Sequence, residues 1–318
     1  MQLKIFLFCA TAAIGFAVSL ISGSVEIGAE KILGLTELTE TERQILENIR
    51  LPRSIVAVLV GINLSLSGAI LQAVMKNPLA DPHIIGISSG AGLFGIFAML
   101  VIEDAGNLVT PAAFLGALLA AILIYILAWK DGIKPIRVIL AGVAVSAFLG
   151  AGISAMLIFY SEKVSGALMW MVGGLSARSW QHVQLILPYT IAGTILALAF
   201  TKHLNILQLG DDVAKGLGLR VNLTRTILTA IAALLAASAV CVVGLLGFVG
   251  LIVPHTARLL IGSDYRILLP SAALLGAAVL TFSDTAARVI FAPVELPVGI
   301  LLAILGAPFF LYLLRKEI

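Results

Sequence analysis

Charged residues are scarce in this chain: lysine, arginine, aspartate and glutamate make up 12% of its 318 residues. Soluble domains carry about 25%, whereas 60% of the residues here are hydrophobic. A soluble globular domain is therefore excluded, because most of the surface must face lipid. The apolar stretches are continuous rather than alternating, and backbone groups in lipid must be bonded within their own segment. The sequence predicts an all-α, polytopic membrane protein that forms a single domain over residues 1–318.

The chain also lacks the residue patterns of an enzyme or a nucleotide-binding protein. It has no G-x-x-x-x-G-K-[ST] motif, no H-E-x-x-H motif, and no nucleophile spaced to work with His255. Its two cysteines, Cys9 and Cys241, lie inside apolar runs and are interpreted as small buried residues rather than a disulfide or metal site. We therefore predict no catalytic activity, cofactor, bound metal or nucleic-acid partner, and an energy source supplied by another protein.

Apolar runs of about 20 residues, the length that crosses about 30 Å of hydrocarbon, recur along the chain. The first, Ile5–Ile21, could be a signal peptide, but its weak basic flank and the lack of a cleavage site favour a membrane span. The stretch 227–261 is too long for one span, so we divide it near Val243 into a full pass and a short, bent pass ending near Gly262. Ten spans are predicted; the other seven are Ile55–Val74, Ile84–Ile102, Val109–Ala128, Ile136–Phe159, Val183–Phe200, Ile267–Ile290 and Val298–Leu314.

Basic residues set the orientation of these spans. Most of the 20 lysines and arginines fall on the inner side if the N-terminus is inside and ten spans follow. Since inner loops are enriched in basic residues, both termini are predicted to be cytoplasmic. The charged segment Thr201–Arg225 then lies in the cytoplasm.

This segment lies between two long stretches that carry almost no charge. A helix is predicted over about Leu209–Leu217, with Asp211 and Asp212 in its first turn, where acids complement the helix dipole. Two interpretations stay open. The segment is either a solvated loop between membrane helices, or a docking element for a cytoplasmic partner, formed as a short helix pair over Gln208–Val221.

Several stretches together resemble one family, the permease subunits of binding-protein-dependent ABC importers for iron chelates and vitamin B12. The resemblance covers nearly the whole chain and keeps its order. The stretches are RLPRSIVAVLVG at Arg50–Gly61, SGAILQAVMKNPLADPHIIGISSGAG at Ser67–Gly92, GFVGLIVPHTARLLIGSDYRILLP at Gly247–Pro270, SDTAAR at Ser283–Arg288, and ELPVGILLAILGAPFFLYLL at Glu295–Leu314.

The resemblance implies a ten-helix permease that works with cytoplasmic ABC ATPase subunits, an extracytoplasmic substrate-binding protein and a second permease subunit, either the same or a related chain, in membrane lipid. It implies an iron chelate as cargo, most often a siderophore in this family, with haem and cobalamin as alternatives. A stand-alone secondary transporter or channel is the alternative from another class. Such a protein would need no docking segment and would place ionisable residues in mid-membrane.

The resemblance also implies three groups of functional residues. The ATPase coupling residues are Leu209, Gly210, Asp211, Asp212, Ala214, Gly216, Leu217 and Gly218. Asn77 and Leu79, either side of Pro78, could form a cytoplasmic gate, whereas Pro135 and Ile136 replace the small hydroxyl residues that the family often has at a second gate position.

The third group is Arg50, Arg53 and Arg288, placed where the binding protein docks. Guanidinium groups there would meet acidic residues of the partner. Two alternatives compete with docking: arginines that reach for lipid headgroups, and a pair between Arg288 and Asp284, which stand four residues apart on one helical face.

Overall fold

The structure is a computed structural model that describes residues 2–23, 25, 27–32, 35–83, 86–130 and 132–317. Ile84, the predicted start of the third span, lies outside the described residues. Within them the chain forms fifteen α-helices and no strand; Trp129 and Ile133 form one isolated bridge. The helices are α1 Gln2–Ile21, α2 Ala29–Ile32, α3 Glu40–Ile45, α4 Leu51–Val74, α5 Ile87–Val101, α6 Val109–Ala128, α7 Pro135–Phe159, α8 Val164–Val172, α9 Trp180–Ala199, α10 Thr201–Gln208, α11 Asp211–Gly216, α12 Val221–Val243, α13 Val249–Ile261, α14 Tyr265–Val289 and α15 Val298–Glu317.

In the part of the chain that the structure describes, seven helical segments are long and apolar enough to cross a membrane: Leu3–Ile21, Glu40–Val74, Val109–Ala128, Pro135–Phe159, Trp180–Ala199, Val221–Val243 and Tyr265–Val289. Three of the ten predicted spans are shorter apolar helices, α5, α13 and the segment Val298–Tyr312 of α15. At 1.5 Å per residue, α5 and α13 reach only about 20 Å. The all-α prediction is confirmed, but the count of ten full spans is not.

The predicted break in the 227–261 stretch is confirmed. α12 ends at Val243 and α13 begins at Val249 after a bend at Gly244, whose backbone has φ +81°. Only glycine adopts this conformation without strain. Pro254 lies inside α13, which ends at Ile261.

The helix prediction for the charged segment is partly wrong. α11 is shorter than the predicted Leu209–Leu217, and the helix pair does not lie within Gln208–Val221. It consists of α10 and α11 and starts at Thr201. α10 follows α9 after the single residue Phe200, and its polar residues resemble those of a loop.

Small residues let the central helices pack closely. α4 and α12 are buried along most of their length, whereas α7 and α9 are largely exposed. A Cβ added at Gly61 of α4 would collide with the carbonyl oxygen of Gly276 in α14, and one at Gly68 would collide with Gly250 in α13. In lipid, where apolar burial does not drive association, such close contacts hold helices together.

α4 and α14 run through the bundle and define its two ends. α4 begins near Arg53 and finishes just before Lys76, while α14 begins at Tyr265 and finishes near Arg288. We call the end with Lys76, Asp211 and Arg225 the α11 end. The opposite end, which holds Arg50, Arg53, Asp284, Arg288 and Glu295, is the Arg53 end.

Candidate functional site

α11 presents an apolar stripe at the surface of the α11 end. The side chains of Leu209, Val213 and Leu217, spaced four residues apart, are 58%, 51% and 62% exposed. Ala214, the residue after Val213 on the same helix, is completely buried. Val213 lies on α11, while Leu209 precedes Gly210 and Leu217 directly follows the helix. α11 therefore rests on the bundle through Ala214, and three apolar side chains on it and beside its two ends are exposed.

Asp211 fastens α11 to the bundle. Its carboxylate accepts two hydrogen bonds from Arg225, Nη1 to Oδ2 at 2.9 Å and Nη2 to Oδ1 at 2.8 Å, and one from Lys76 Nζ at 2.6 Å. Burial would raise the pKa of Asp211, but the hydrogen bonds from Lys76 and Arg225 outweigh it and hold the pKa below its ordinary value. The carboxylate therefore ties α4, α11 and α12 together.

Asp212, unlike Asp211, has no contact with another helix among the hydrogen bonds and ion pairs of the described residues. Its side chain is fully exposed and lies 3.8 Å from Lys215 Nζ, a weak contact within the same helix. Such a pair contributes little to stability in water. Asp211 is thus a structural residue of the predicted coupling group, and Asp212 is available for a partner.

The three glycines of the predicted coupling group have no neighbouring atom where a Cβ would be added. Gly210 and Gly218 have φ +103° and +82°, so a side chain there would strain the backbone. Gly216 lies inside α11 with no such restriction. A Cβ added at Gly216 would have no described atom from outside its own helix within 4 Å, so a side chain there would start in open space.

α10 is held against the start of α14 by a group of hydrogen bonds that the sequence did not reveal. Asn205 Nδ2 donates to Asp264 Oδ1 at 2.7 Å, and the backbone N–H of Tyr265 donates to Asn205 Oδ1 at 2.9 Å. Gln208 Nε2 donates to the carbonyl of Ser263 at 3.2 Å. The hydrogen bond from Asn205 lowers the pKa of Asp264. α10 and α11 are therefore braced from both sides.

The predicted gate residues form the turn that follows α4. Lys76 ends the helix with a left-handed φ of +48°, and Asn77 N–H donates to the carbonyl of Gln72 at 3.1 Å. Asn77 Oδ1 then accepts the N–H of Leu79 at 2.9 Å, which closes a turn around Pro78. Asn77 and Leu79 are both half-buried. Their position at the α11 end is defined, while a gating role stays a prediction.

At the opposite end, Arg53 joins three segments of the chain. Its Nε and Nη2 donate to the two carboxylate oxygens of Asp284, both at 2.9 Å, and its Nη1 donates to Glu295 Oε2 at 2.7 Å. The predicted Asp284–Arg288 pair is also present, with Arg288 Nε 3.3 Å from Asp284 Oδ2. Asp284 therefore serves two arginines, and α4 is bridged to α14 and to the loop before α15.

The other two arginines of the predicted docking group bind α1. Arg50 Nη1 donates to the carbonyls of Leu20 and Ile21, both at 2.8 Å, and Nη2 donates to the carbonyl of Val25. The carbonyls of Leu20 and Ile21 are at the end of α1, where carbonyls have no partner within the helix. Arg288 Nη2 donates to the carbonyl of Ser19 at 3.1 Å. α1 is thus capped by side chains from two other helices.

The three arginines are therefore buried rather than displayed. Arg50, Arg53 and Arg288 are 3%, 5% and 4% exposed, and each binds groups of its own chain. This agrees with the alternative that pairs Arg288 with Asp284, and it is not the exposed arrangement that direct docking requires. Lipid-headgroup contact is likewise disfavoured by the same burial.

Residues that the sequence did not single out complete the Arg53 end. Ser176 Oγ donates to Glu295 Oε2 at 3.3 Å, and Arg178 Nη1 lies 3.3 Å from His182 Nε2. Burial would raise the pKa of Glu295, but the hydrogen bond from Arg53 leaves it below its ordinary value. A cavity of about 420 Å³ lies beside these side chains. The signal in the sequence was Glu295 itself, an acid directly before an apolar run.

The fold defines a multi-pass α-helical membrane protein, and comparison with known proteins gives its family. The model of the FecCD transport family matches residues 11–316, so the chain belongs to that family, one of transport permeases. The predicted resemblance is confirmed.

Two relatives and one solved structure illustrate the similarity. The Fe(3+)-citrate import system permease protein YfmE of Bacillus subtilis is 41% identical over 297 residues, covering 93% of this chain and 89% of YfmE. The cobalamin import system permease protein BtuC of Halobacterium salinarum is 43% identical over 279 residues, covering 87% and 75%. A metal-chelate type ABC transporter solved in an inward-facing conformation has a TM-score of 0.89 and 28% identity, over 99% of this chain and 100% of that one.

Proposed function

We propose that this chain is the membrane permease of an ABC importer that carries an iron chelate into the cytoplasm. The family match over residues 11–316 carries the proposal. Relatives that import ferric citrate and ferric hydroxamate support iron as the cargo; the second is FhuG of Bacillus subtilis, 40% identical over 316 residues. The cobalamin permease of Halobacterium salinarum, at 43% identity, makes cobalamin the second candidate.

The α11 end is proposed to face the cytoplasm and to receive the ATPase subunit. An apolar stripe on a helix fixed from behind by Ala214 and Asp211 is suited to a cleft in a partner. Leu209, Leu217 and Asp212 would contact the ATPase, Gly216 would allow its close approach, and Gly210 and Gly218 would shape the turns. Movement of α11 would reach α4 and α12 through Asp211 and its two cationic partners.

The proposed topology has ten passes with both termini in the cytoplasm. Lys4 Nζ donates to the carbonyl of Leu260 at 2.7 Å, so the start of α1 lies beside the end of α13, at the α11 end. The backbone N–H of Gly299 donates to Gly173 at 3.1 Å, so α15 starts toward the opposite end and returns. The short helices α5 and α13 would complete their passes with the loops that precede them, which is possible where protein buries the backbone.

A second permease subunit is proposed to cover the exposed side of α7. Phe148, Ile158 and Phe159 are 76%, 74% and 81% exposed, and the small residues Ala144 and Ala151 of the same helix are exposed as well. Two copies facing each other through α7 and α15 would enclose a path that neither encloses alone. Asn77 and Leu79 would then narrow that path at its cytoplasmic mouth.

Docking of the binding protein is proposed to use the surface that Arg50, Arg53 and Arg288 hold in place. Because each guanidinium already binds groups of its own chain, direct recognition would first require those bonds to open. The arginines would act as positioning residues for α1, α14 and the loop around Glu295.

Reconstitution of the chain with its ATPase and binding protein in vesicles tests the function. Import should require ATP on the side of the membrane where the ATPase is bound. It should be measured for ferric citrate, a ferric hydroxamate and cobalamin in parallel. Saturable, ATP-dependent import of either iron chelate would support the proposal. Import of cobalamin alone would replace the cargo, and transport driven by an ion gradient without the ATPase would return the secondary-transporter alternative.

A further inference from the structure

An apolar groove runs along the outer surface of the bundle between α6 and α12. It has a volume of about 640 Å³ and lies within two membrane-spanning helices. Its walls are formed by Leu118, Ile122 and Ile126 on one side and by Thr226, Ala230 and Ala233 on the other. Ile122 and Ile126 are 55% and 66% exposed, so the groove is open to lipid.

A polar cavity of about 520 Å³ adjoins the groove at the α11 end. It is lined by Gly132, Lys134, Asp211, Lys215, Asn222 and Arg225. Asn222, Thr226, Ala230 and Ala233 recur at helical spacing on α12, so one face of that helix passes from the cavity into the groove. On the other wall, Trp129 of the groove is bridged to Ile133 of the cavity.

The dimensions match one lipid chain in one leaflet. Asn222 and Ala233 are eleven residues apart on α12, which is about 17 Å at 1.5 Å per residue. Half of the hydrocarbon core of a membrane is about 15 Å. Trp129, 55% exposed, marks the junction, and tryptophan is enriched at the level of lipid headgroups.

The charges of the cavity favour an anion. Asp211, the one acid among the described residues that line it, is already bonded to Lys76 and Arg225. Arg225 is 3% exposed, and its Nε has no hydrogen-bond partner in the described part of the chain. Lys134 is exposed and forms no ion pair with any residue that the structure describes. A phosphate placed here would meet Lys134 and Arg225, and the carboxylate of Asp211 beside it would already be bonded to cations.

We propose that groove and cavity together bind one anionic phospholipid, with an acyl chain between α6 and α12 and the phosphate at Lys134 and Arg225. Basic residues near a membrane surface attract anionic headgroups by about 1 kcal/mol each, or about fivefold in affinity. The bound headgroup would lie against Lys215 of α11, the helix proposed to dock the ATPase. The lipid site itself does not depend on the proposed cargo.

Trp129 provides the measurement once the other two of the chain's three tryptophans, Trp170 and Trp180, are replaced by phenylalanine. In the full-length protein carrying Trp170→Phe and Trp180→Phe, brominated phosphatidylglycerol in phosphatidylcholine vesicles should quench Trp129 at about fivefold lower mole fraction than brominated phosphatidylcholine. Lys134→Gln should abolish that preference, because the charge of Arg225 is already balanced by Asp211. Lys130→Gln, with the same charge change four residues away but outside the cavity, should keep it.

A second variant tests the groove. Ala230→Phe should fill it and reduce quenching by phosphatidylglycerol, whereas Ala192→Phe on the exposed face of α9 should not. Equal quenching by the two brominated lipids in the unaltered site would overturn the proposal. Equal loss in Lys130→Gln and Lys134→Gln would also overturn it, because general surface charge would then explain the preference. Failure of import with an intact lipid preference would count against the proposed function alone.

Discussion

The two ends of the bundle use the same chemistry for different purposes. Each has an aspartate held by two cations, Asp211 by Arg225 and Lys76, and Asp284 by Arg53 and Arg288. At the Arg53 end the carboxylate of Asp284 is 2% exposed, and the two arginines that bind it, Arg53 and Arg288, are buried as well. At the α11 end the carboxylate is 36% exposed and the helix that carries it also displays an apolar stripe. The ion pairs of Asp284 therefore hold the Arg53 end together in the interior. The ion pairs of Asp211 hold α11 in place so that its apolar side chains stay exposed.

The largest effect is expected from a substitution that disrupts the buried ion pairs of the Arg53 end. Arg53→Glu would place a third carboxylate beside Asp284 and Glu295, and breaking one partner of a buried pair costs about 3–5 kcal/mol. We expect little folded protein, seen as a low yield and a low melting temperature in detergent. Arg43→Glu, on a surface pair with Glu47 at 3.7 Å, is the matched control and should melt normally. A normally stable Arg53→Glu that only loses docking would restore the direct recognition role.

At the α11 end, two neighbouring substitutions can distinguish the residue that attaches α11 to the bundle from a residue on its exposed surface. Asp211→Asn should leave Arg225 buried and under-bonded, at a cost of about 1–3 kcal/mol, and should also uncouple ATP hydrolysis from transport by releasing α11. Asp212→Asn should leave the melting temperature unchanged, because its side chain is fully exposed. Melting curves and binding-protein-stimulated ATP hydrolysis would be compared. Identical behaviour of the two variants would remove the distinction between anchor and surface.

The apolar stripe should matter only when the ATPase is present. Leu217→Ser removes an exposed side chain whose burial in a partner is worth about 1.5–3 kcal/mol, or about tenfold or more in affinity. Gly216→Trp should weaken ATPase binding as well, since it projects into space that this chain leaves open. Neither variant should lower the melting temperature of the permease alone. ATPase affinity equal to that of the unaltered chain in both variants would exclude α11 as the docking helix.

Much of the fold could be read from the sequence, since apolar runs and their breaks are local. The division at Val243 followed from Gly244 and the length of the stretch. α8 was not predicted, because its nine residues, mostly apolar, are too few for a span and lie between polar flanks. α10 was not predicted, because only Phe200 separates it from α9 and its residues are mostly polar.

The site could be read only in part, since pairing is not local. Arg53 and Asp284 are separated by 231 residues, and Asp211 and Lys76 by 135. The sequence placed these charges near helix ends without showing which of them face inward. It therefore grouped Asp211 with Asp212, and Arg53 with a partner protein, where the structure gives Asp211 and Arg53 partners within the chain.

The smallest effect concerns the pH dependence of the stability that Asp211 contributes at the α11 end. The pKa of Asp211 in the folded protein lies below its ordinary value of 3.8, so the unfolded chain takes up a proton first as the pH falls. The bonds of Asp211 therefore stabilise the protein fully above that value, and the contribution is lost as the pH drops through the folded pKa. The melting-temperature difference between the unaltered chain and Asp211→Asn should be constant from pH 7 to 5 and shrink only below about 4. Because the carboxylate is 36% exposed, the change should amount to a few degrees. A difference that vanishes already between pH 6 and 5 would mean that Lys76 and Arg225 do not hold Asp211 in its charged form.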